Sequence, residues 1–192
     1  GGMREVVSVP LDKLHHAPNV PAEHLALVEM LSIGAHATRR AKLDKDENVL
    51  VIGAGPIGMG VAQFARVAGG NVVMMDINPD RLAFCRDMMK FEQTIDAREN
   101  PNEQLLALFD GELPTAVFDA TGSSASMHKS FEFAAHGSKL IFVGLFKGDI
   151  TFNDPYFHSH ELSILSSRNA TSEDFDWVIE SLTNGSVTLD GW

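Results

Sequence analysis

Apolar positions along this chain fall into two patterns. Short unbroken runs, such as Val49–Ile52, Val72–Met75 and Leu140–Val143, read as strands covered on both faces. Longer segments lie between them and read as helices. From residue 49 onward the two alternate. Strands are expected at 49–53, 72–76, about 93–96, 115–119, 139–144 and 162–167. Helices are expected at 58–69, 79–89, 101–109, 124–135 and 172–184. The helix at 79 opens with Asn78-Pro79-Asp80, a cap followed by proline in the first turn.

Before this alternation lies a different stretch. Arg4–Val9 reads as a short strand closed by Pro10, and Leu11–Pro21 reads as loop. Ala22–Lys42 reads as a helix with Leu25, Val28, Leu31 and Ala35 at three- and four-residue spacing, broken near Ser32-Ile33-Gly34. Six strands with intervening helices predict an α/β fold, a doubly wound parallel six-stranded sheet of the Rossmann type, over 44–185. Residues 1–43 form a strand-plus-helix prefix, and 186–192 lie beyond the unit.

The first strand runs into Gly53-Ala54-Gly55-Pro56-Ile57-Gly58, and the second ends in Asp76, 23 residues after Gly53. Strand, G-x-G-x-x-G, helix and a carboxylate about 20 residues on form a dinucleotide fingerprint. Gly53 turns the chain off the strand. Gly55 lets a pyrophosphate reach the backbone, and Gly58 brings the helix close to the sheet. With Pro56 and Ile57 these residues build a helix N-terminus whose free N–H groups and dipole suit phosphates. Asp76 accepts from the ribose hydroxyls and repels a 2′-phosphate. At ~4 Å and an effective dielectric of ~20 that repulsion is about 4 kcal/mol, so NAD is expected over NADP.

Composition narrows the partners. The net charge of −11 argues against nucleic acid and anionic membranes. The single cysteine, Cys85, forms no intrachain disulfide, which fits a reducing cytoplasm. No signal peptide opens the sequence, and no apolar run approaches the ~18 residues of a membrane span. Neither His15-His16 nor His158-Ser159-His160 has metal-ligand spacing, so no metal site is expected. His36 reads as a packed histidine.

Several segments together resemble the medium-chain zinc-type alcohol dehydrogenases, above all the sorbitol and threonine dehydrogenase branch. They are Gly2–Pro10, Leu27–Ala37, the fingerprint, Asp76–Leu82, Phe118–Gly122 and Ile141–Leu145. The resemblance implies the NAD-binding part of an enzyme that oxidises a secondary alcohol of a polyol or sugar acid. It implies zinc in a longer parent, with ligands outside this sequence, which reads as a truncated piece ending as the chain returns to a catalytic domain. It assigns Arg81 to the adenosine ribose, Ala120, Thr121, Gly122, Val143, Gly144 and Leu145 to the nicotinamide side, and Arg168 to the pyrophosphate and substrate cleft. Glu29, in an apolar stretch, is implied to approach the zinc, although Met30 stands where the family has proline. The strand at 162–167 is implied to pair with its copy in a dimer. Three other readings remain open at this stage: a zinc-independent quinone or enoyl reductase, a non-catalytic NAD sensor, and a methyltransferase.

Overall fold

The computed structural model describes residues 4–192. Gly2 and Met3, which begin the first resembling segment, lie outside the described residues. Six parallel strands form one sheet: β1 (Asn48–Ile52), β2 (Asn71–Asp76), β3 (Thr94–Asp96), β4 (Ala116–Asp119), β5 (Lys139–Phe142) and β6 (Ser163–Ser166). Their order is β3-β2-β1-β4-β5-β6, the doubly wound arrangement, with its switch point between β1 and β4.

The helices are α1 (Ala22–Ala41), α2 (Pro56–Val67), α3 (Pro79–Asp87), α4 (Pro101–Leu108), α5 (Ser124–Lys129), α6 (Asp154–Ser159) and α7 (Ser172–Thr183). Alternate residues of β1 point to opposite faces. Val49 and Val51 join a core with Val61 and Ala65 of α2 and Cys85 of α3. Leu50 and Ile52 join another with Leu105 of α4, Phe131 and Phe157. Both faces are dry, which is why the strands read as unbroken apolar runs. No helix among the described residues is long and apolar enough to cross a membrane.

α1 is continuous through Ser32–Gly34, where a break was expected. Ser32 Oγ donates to the Val28 carbonyl at 2.7 Å, and Gly34 lies against the backbone of α2. A Cβ on Gly34 would sit 2.5 Å from Gly60 C and Val61 N. These small residues serve a helix crossing, not a helix end. Val28, Leu31 and Ala35 of the expected stripe are buried and Thr38 continues it, while Leu25 is exposed.

Arg4–Val9 forms no strand. It pairs with none of the six, and Val6 and Val7 stand in solvent. Extended backbone needs a neighbouring edge, and the described residues give it none. The expected helix at 124–135 stops at Lys129 and tightens into a 3-10 turn over Ser130–Phe133. That turn buries both Phe131 and Phe133, which an α-helix would set about 200° apart. Helix α6 was not expected. Asn153 Oδ1 caps it by accepting from Tyr156 N at 2.9 Å, and Pro155 lies in its first turn.

Past α7 the chain returns to α2. Gln63 Nε2 donates to Thr188 O at 3.1 Å, and Thr188 N donates to Gln63 Oε1 at 3.2 Å. Val187 and Leu189 pack with α1 and α7.

Candidate cofactor site

The C-terminal ends of β1, β2 and β4 open onto a cleft of about 510 Å³ at the switch point. Six of the residues singled out from sequence line it: Gly53, Gly55, Asp76, Arg81, Ala120 and Thr121.

The glycines of the first loop are required for different reasons. Gly53 has φ +101°, a left-handed conformation, and its N–H donates to Met75 O at 2.7 Å. A Cβ on Gly58 would lie 1.8 Å from Gly53 O, so α2 could not sit where it does. Gly55 has φ −81°, open to any residue, and a Cβ there would meet nothing within 4 Å. The chain's own packing therefore demands Gly53 and Gly58 but not Gly55. What the bare backbone at 55 leaves is room beside the start of α2. No side chain caps that helix, and Pro56 occupies its first turn. The N–H groups of Ile57 and Gly58 have no partner within the helix.

Asp76 is 8% exposed and holds this loop in place. Its Oδ2 accepts from Ala54 N at 2.6 Å and its Oδ1 from Asn78 N at 2.8 Å. A carboxylate offers about four lone-pair sites, so acceptor capacity remains for the cleft. Arg81 is exposed on α3 and borders both the cleft and an apolar recess lined by Leu27, Met30, Met59 and Phe84.

A second cluster adjoins the first. Gly122 has φ +63°, and a Cβ on Gly144 would lie 2.3 Å from Gly122 N. The ends of β4 and β5 thus touch backbone to backbone, bringing 120–122 against 143–145. Val143 N and Gly144 N both donate to Asp119 O at 2.9 Å. Leu145 projects outward, 80% exposed. Sequence reasoning passed over Asp119 as a site residue, yet its buried side chain organises this corner. It accepts from Thr121 N (2.9 Å), Thr121 Oγ1 (2.7 Å) and Ser126 Oγ (2.5 Å). The signal was present: a carboxylate ending an apolar strand, with Thr two residues later. Lys129 and Phe133 also line the cleft and were not foreseen.

Two expected residues lie elsewhere. Glu29 is exposed on α1, so the cost of burying its carboxylate does not arise, and it lines no part of the cleft. Arg168 is exposed after β6 and likewise stays outside. His36 is a packed histidine: its Nδ1 lies 2.8 Å from Asp174 Oδ2. Arg39 reaches the same carboxylate at 2.7 Å and 3.2 Å. Burial alone would raise Asp174, but hydrogen bonds from Arg39, Thr171 and His36 outweigh it and hold the carboxyl at about 2. Among the described residues, no three His, Cys, Asp or Glu side chains converge as a metal site would require. The described residues do not fit zinc.

A family model described as zinc-binding dehydrogenase matches residues 56–184. The chain belongs to the zinc-binding dehydrogenase family. It is 40% identical over 190 residues to L-galactonate-5-dehydrogenase of Escherichia coli K12, covering 99% of this chain and 56% of that one. Its fold superposes on galactitol-1-phosphate dehydrogenase from Escherichia coli with a TM-score of 0.87 at 24% identity, covering 99% of this chain and 58% of the other. A short chain alcohol dehydrogenase from Escherichia coli CFT073, complexed with the cofactor NADH, gives 0.84 at 24% identity, with coverage of 94% and 53%. The chain spans about half the length of each of these three proteins.

Proposed function

We propose that this chain is the NAD-binding half of a zinc-dependent dehydrogenase that oxidises a secondary alcohol of a polyol or sugar acid. The observation that carries the cofactor reading is the room at Gly55, which nothing in the chain fills, beside an uncapped helix N-terminus. In this reading the N–H groups at 57 and 58 hold the pyrophosphate, and Asp76 and Arg81 take the adenosine ribose. The backbone at 120–122 and 143–145 faces the nicotinamide. NAD held there would supply a hydride acceptor for the alcohol carbon. The chain's own part is to hold and aim it, and Asp119 fixes the corner that does so. The sugar-acid substrate class is supported by the L-galactonate relative. Zinc ligands, and Glu29's approach to zinc, belong to the intact protein, placed in the cytoplasm.

Calorimetric titration with NADH and NADPH tests the reading. NADH should bind tighter by about a hundredfold or more, from the carboxylate–phosphate repulsion at Asp76. Equal or tighter NADPH binding would sink the selectivity argument.

The edge at β6 supports a dimer. Ser163 and Ser166 are exposed, and Ile164 and Leu165 half-buried, on a strand that ends the sheet. Arg40 Nε already donates to Ser166 O at 2.9 Å, covering one carbonyl of that edge. Light scattering should give twice the chain mass, and Ile164→Pro should return it to one. A monomer at ~100 μM, far above the ~μM constants of weak interfaces, would defeat the dimer.

A further inference from the structure

His128, on α5, is bonded through both ring nitrogens to groups that leave it no freedom of tautomer. Thr151 N donates to its Nε2 at 3.1 Å, and a backbone N–H can only donate. On the other side its Nδ1 lies 2.6 Å from the Ser124 carbonyl, which can only accept. The ring is therefore neutral and carries its proton on Nδ1. Thr151 Oγ1 adds a contact to Nε2 at 3.2 Å. The imidazole thus joins the first turn of α5 to the far end of the loop that follows β5.

That loop is fixed at its near end by Asp119 O, which accepts from Val143 N and Gly144 N. Between the two anchors runs Leu145–Ile150, and Leu145 is held out in solvent. Phe152, just past the tie, stacks on Phe131 with centroids 5.5 Å apart. The same first turn of α5 faces the cofactor cleft through Ala125 and Ser126. His128 is therefore a second polar link, beside Asp119, between one wall of the cleft and the loop carrying Val143–Leu145.

We propose that His128 is a positioning residue for the cofactor, whose neutral ring ties down the loop after β5 and whose protonation releases it. The proposal rests on reading 143–145 as the nicotinamide side. A protonated ring is a donor at both nitrogens, so Nε2–H would face Thr151 N–H and the tie would be lost. Imidazoles take up a proton between about pH 8 and 5, within the range where enzymes work. The titratable groups lining the same groove are Glu132, one turn on, and Tyr156 of α6. Burial and then the charge of Glu132 push the Tyr156 phenol up, so it does not ionise in this range.

The test is NADH affinity of the chain measured between about pH 8 and 5 for wild type, His128→Gln, His128→Ala and Glu132→Gln. Gln places an acceptor near Nε2 but does not titrate. Wild type should weaken by about fivefold on acidification, the worth of one hydrogen bond. H128Q should match wild type at the alkaline end and stay flat, H128A should be weak throughout, and E132Q should keep the slope. A slope that persists in H128Q, or vanishes in E132Q, overturns the proposal while leaving the cofactor reading intact. Absence of NADH binding at pH 8 overturns both. Nitrogen NMR of wild-type His128 gives an answer that needs no variant to fold. The Nδ1–H tautomer, with a Thr151 amide that exchanges faster on acidification, is expected, and an Nε2–H tautomer refutes the tie.

Discussion

Two glycine contacts in this molecule look alike in sequence and differ in what they serve. Where α1 crosses α2, the space a Cβ would take on Gly34 is already filled by the backbone of Gly60 and Val61. The same is true of Gly58 against Gly53. At Gly55 the space is open and the backbone relaxed. The first kind of glycine is explained by the fold alone. The second has no explanation inside the chain, and it lies at a helix N-terminus beside a buried carboxylate. The difference separates residues that shape the protein from a residue that leaves room for something else.

Substitution should break the two kinds apart. The largest effect is expected at Gly58→Ala, where the new methyl would meet Gly53 O at 1.8 Å. Displacing α2 should cost about 3 kcal/mol, a fall in melting temperature of roughly 6–12 °C for a chain of this size. A melt within ~1 °C of wild type would mean the helix is freer than its packing indicates.

A smaller effect is expected where α7 meets α1. Asp174 ties α7 to α1 through Arg39 and His36, and its carboxyl is held at about 2 against an unfolded value near 3.9. The depressed value favours the folded state above about pH 4, and that contribution is lost as pH falls toward 2. Urea melts should show Asp174→Asn less stable than wild type by roughly 2 kcal/mol at neutral pH, with the gap closing on acidification. A gap independent of pH would assign the cost to packing instead.

How legible this was in the sequence follows from the same contrast. Six strands and their order in the chain could be read because parallel strands, dry on both faces, leave apolar runs such as Val49–Ile52. The loop Gly53–Gly58 and Asp76 could be read because local spacing specifies them. What escaped depends on partners distant in sequence. Ser32 and Gly34 resemble a helix break until α2 is seen lying against them. Arg4–Val9 has the residues of a strand and no neighbour to pair with. Glu29 was judged by the apolar stretch around it, yet it sits on the exposed side of α1. His128 matters through Thr151, which local patterning cannot place beside it, whereas Asp119 was legible as a carboxylate ending an apolar strand with Thr121 two residues later.

The smallest structural change should carry the most functional weight. Gly55→Ala adds a methyl to open space, so its stability should stay within the ~0.5 kcal/mol of a neutral surface change. Its affinity for NADH, measured by calorimetry beside wild type, should fall by more than about tenfold as the methyl enters the room proposed for the pyrophosphate. NADH binding that survives Gly55→Ala undiminished would contradict the account, because the cofactor would then lie somewhere other than this loop.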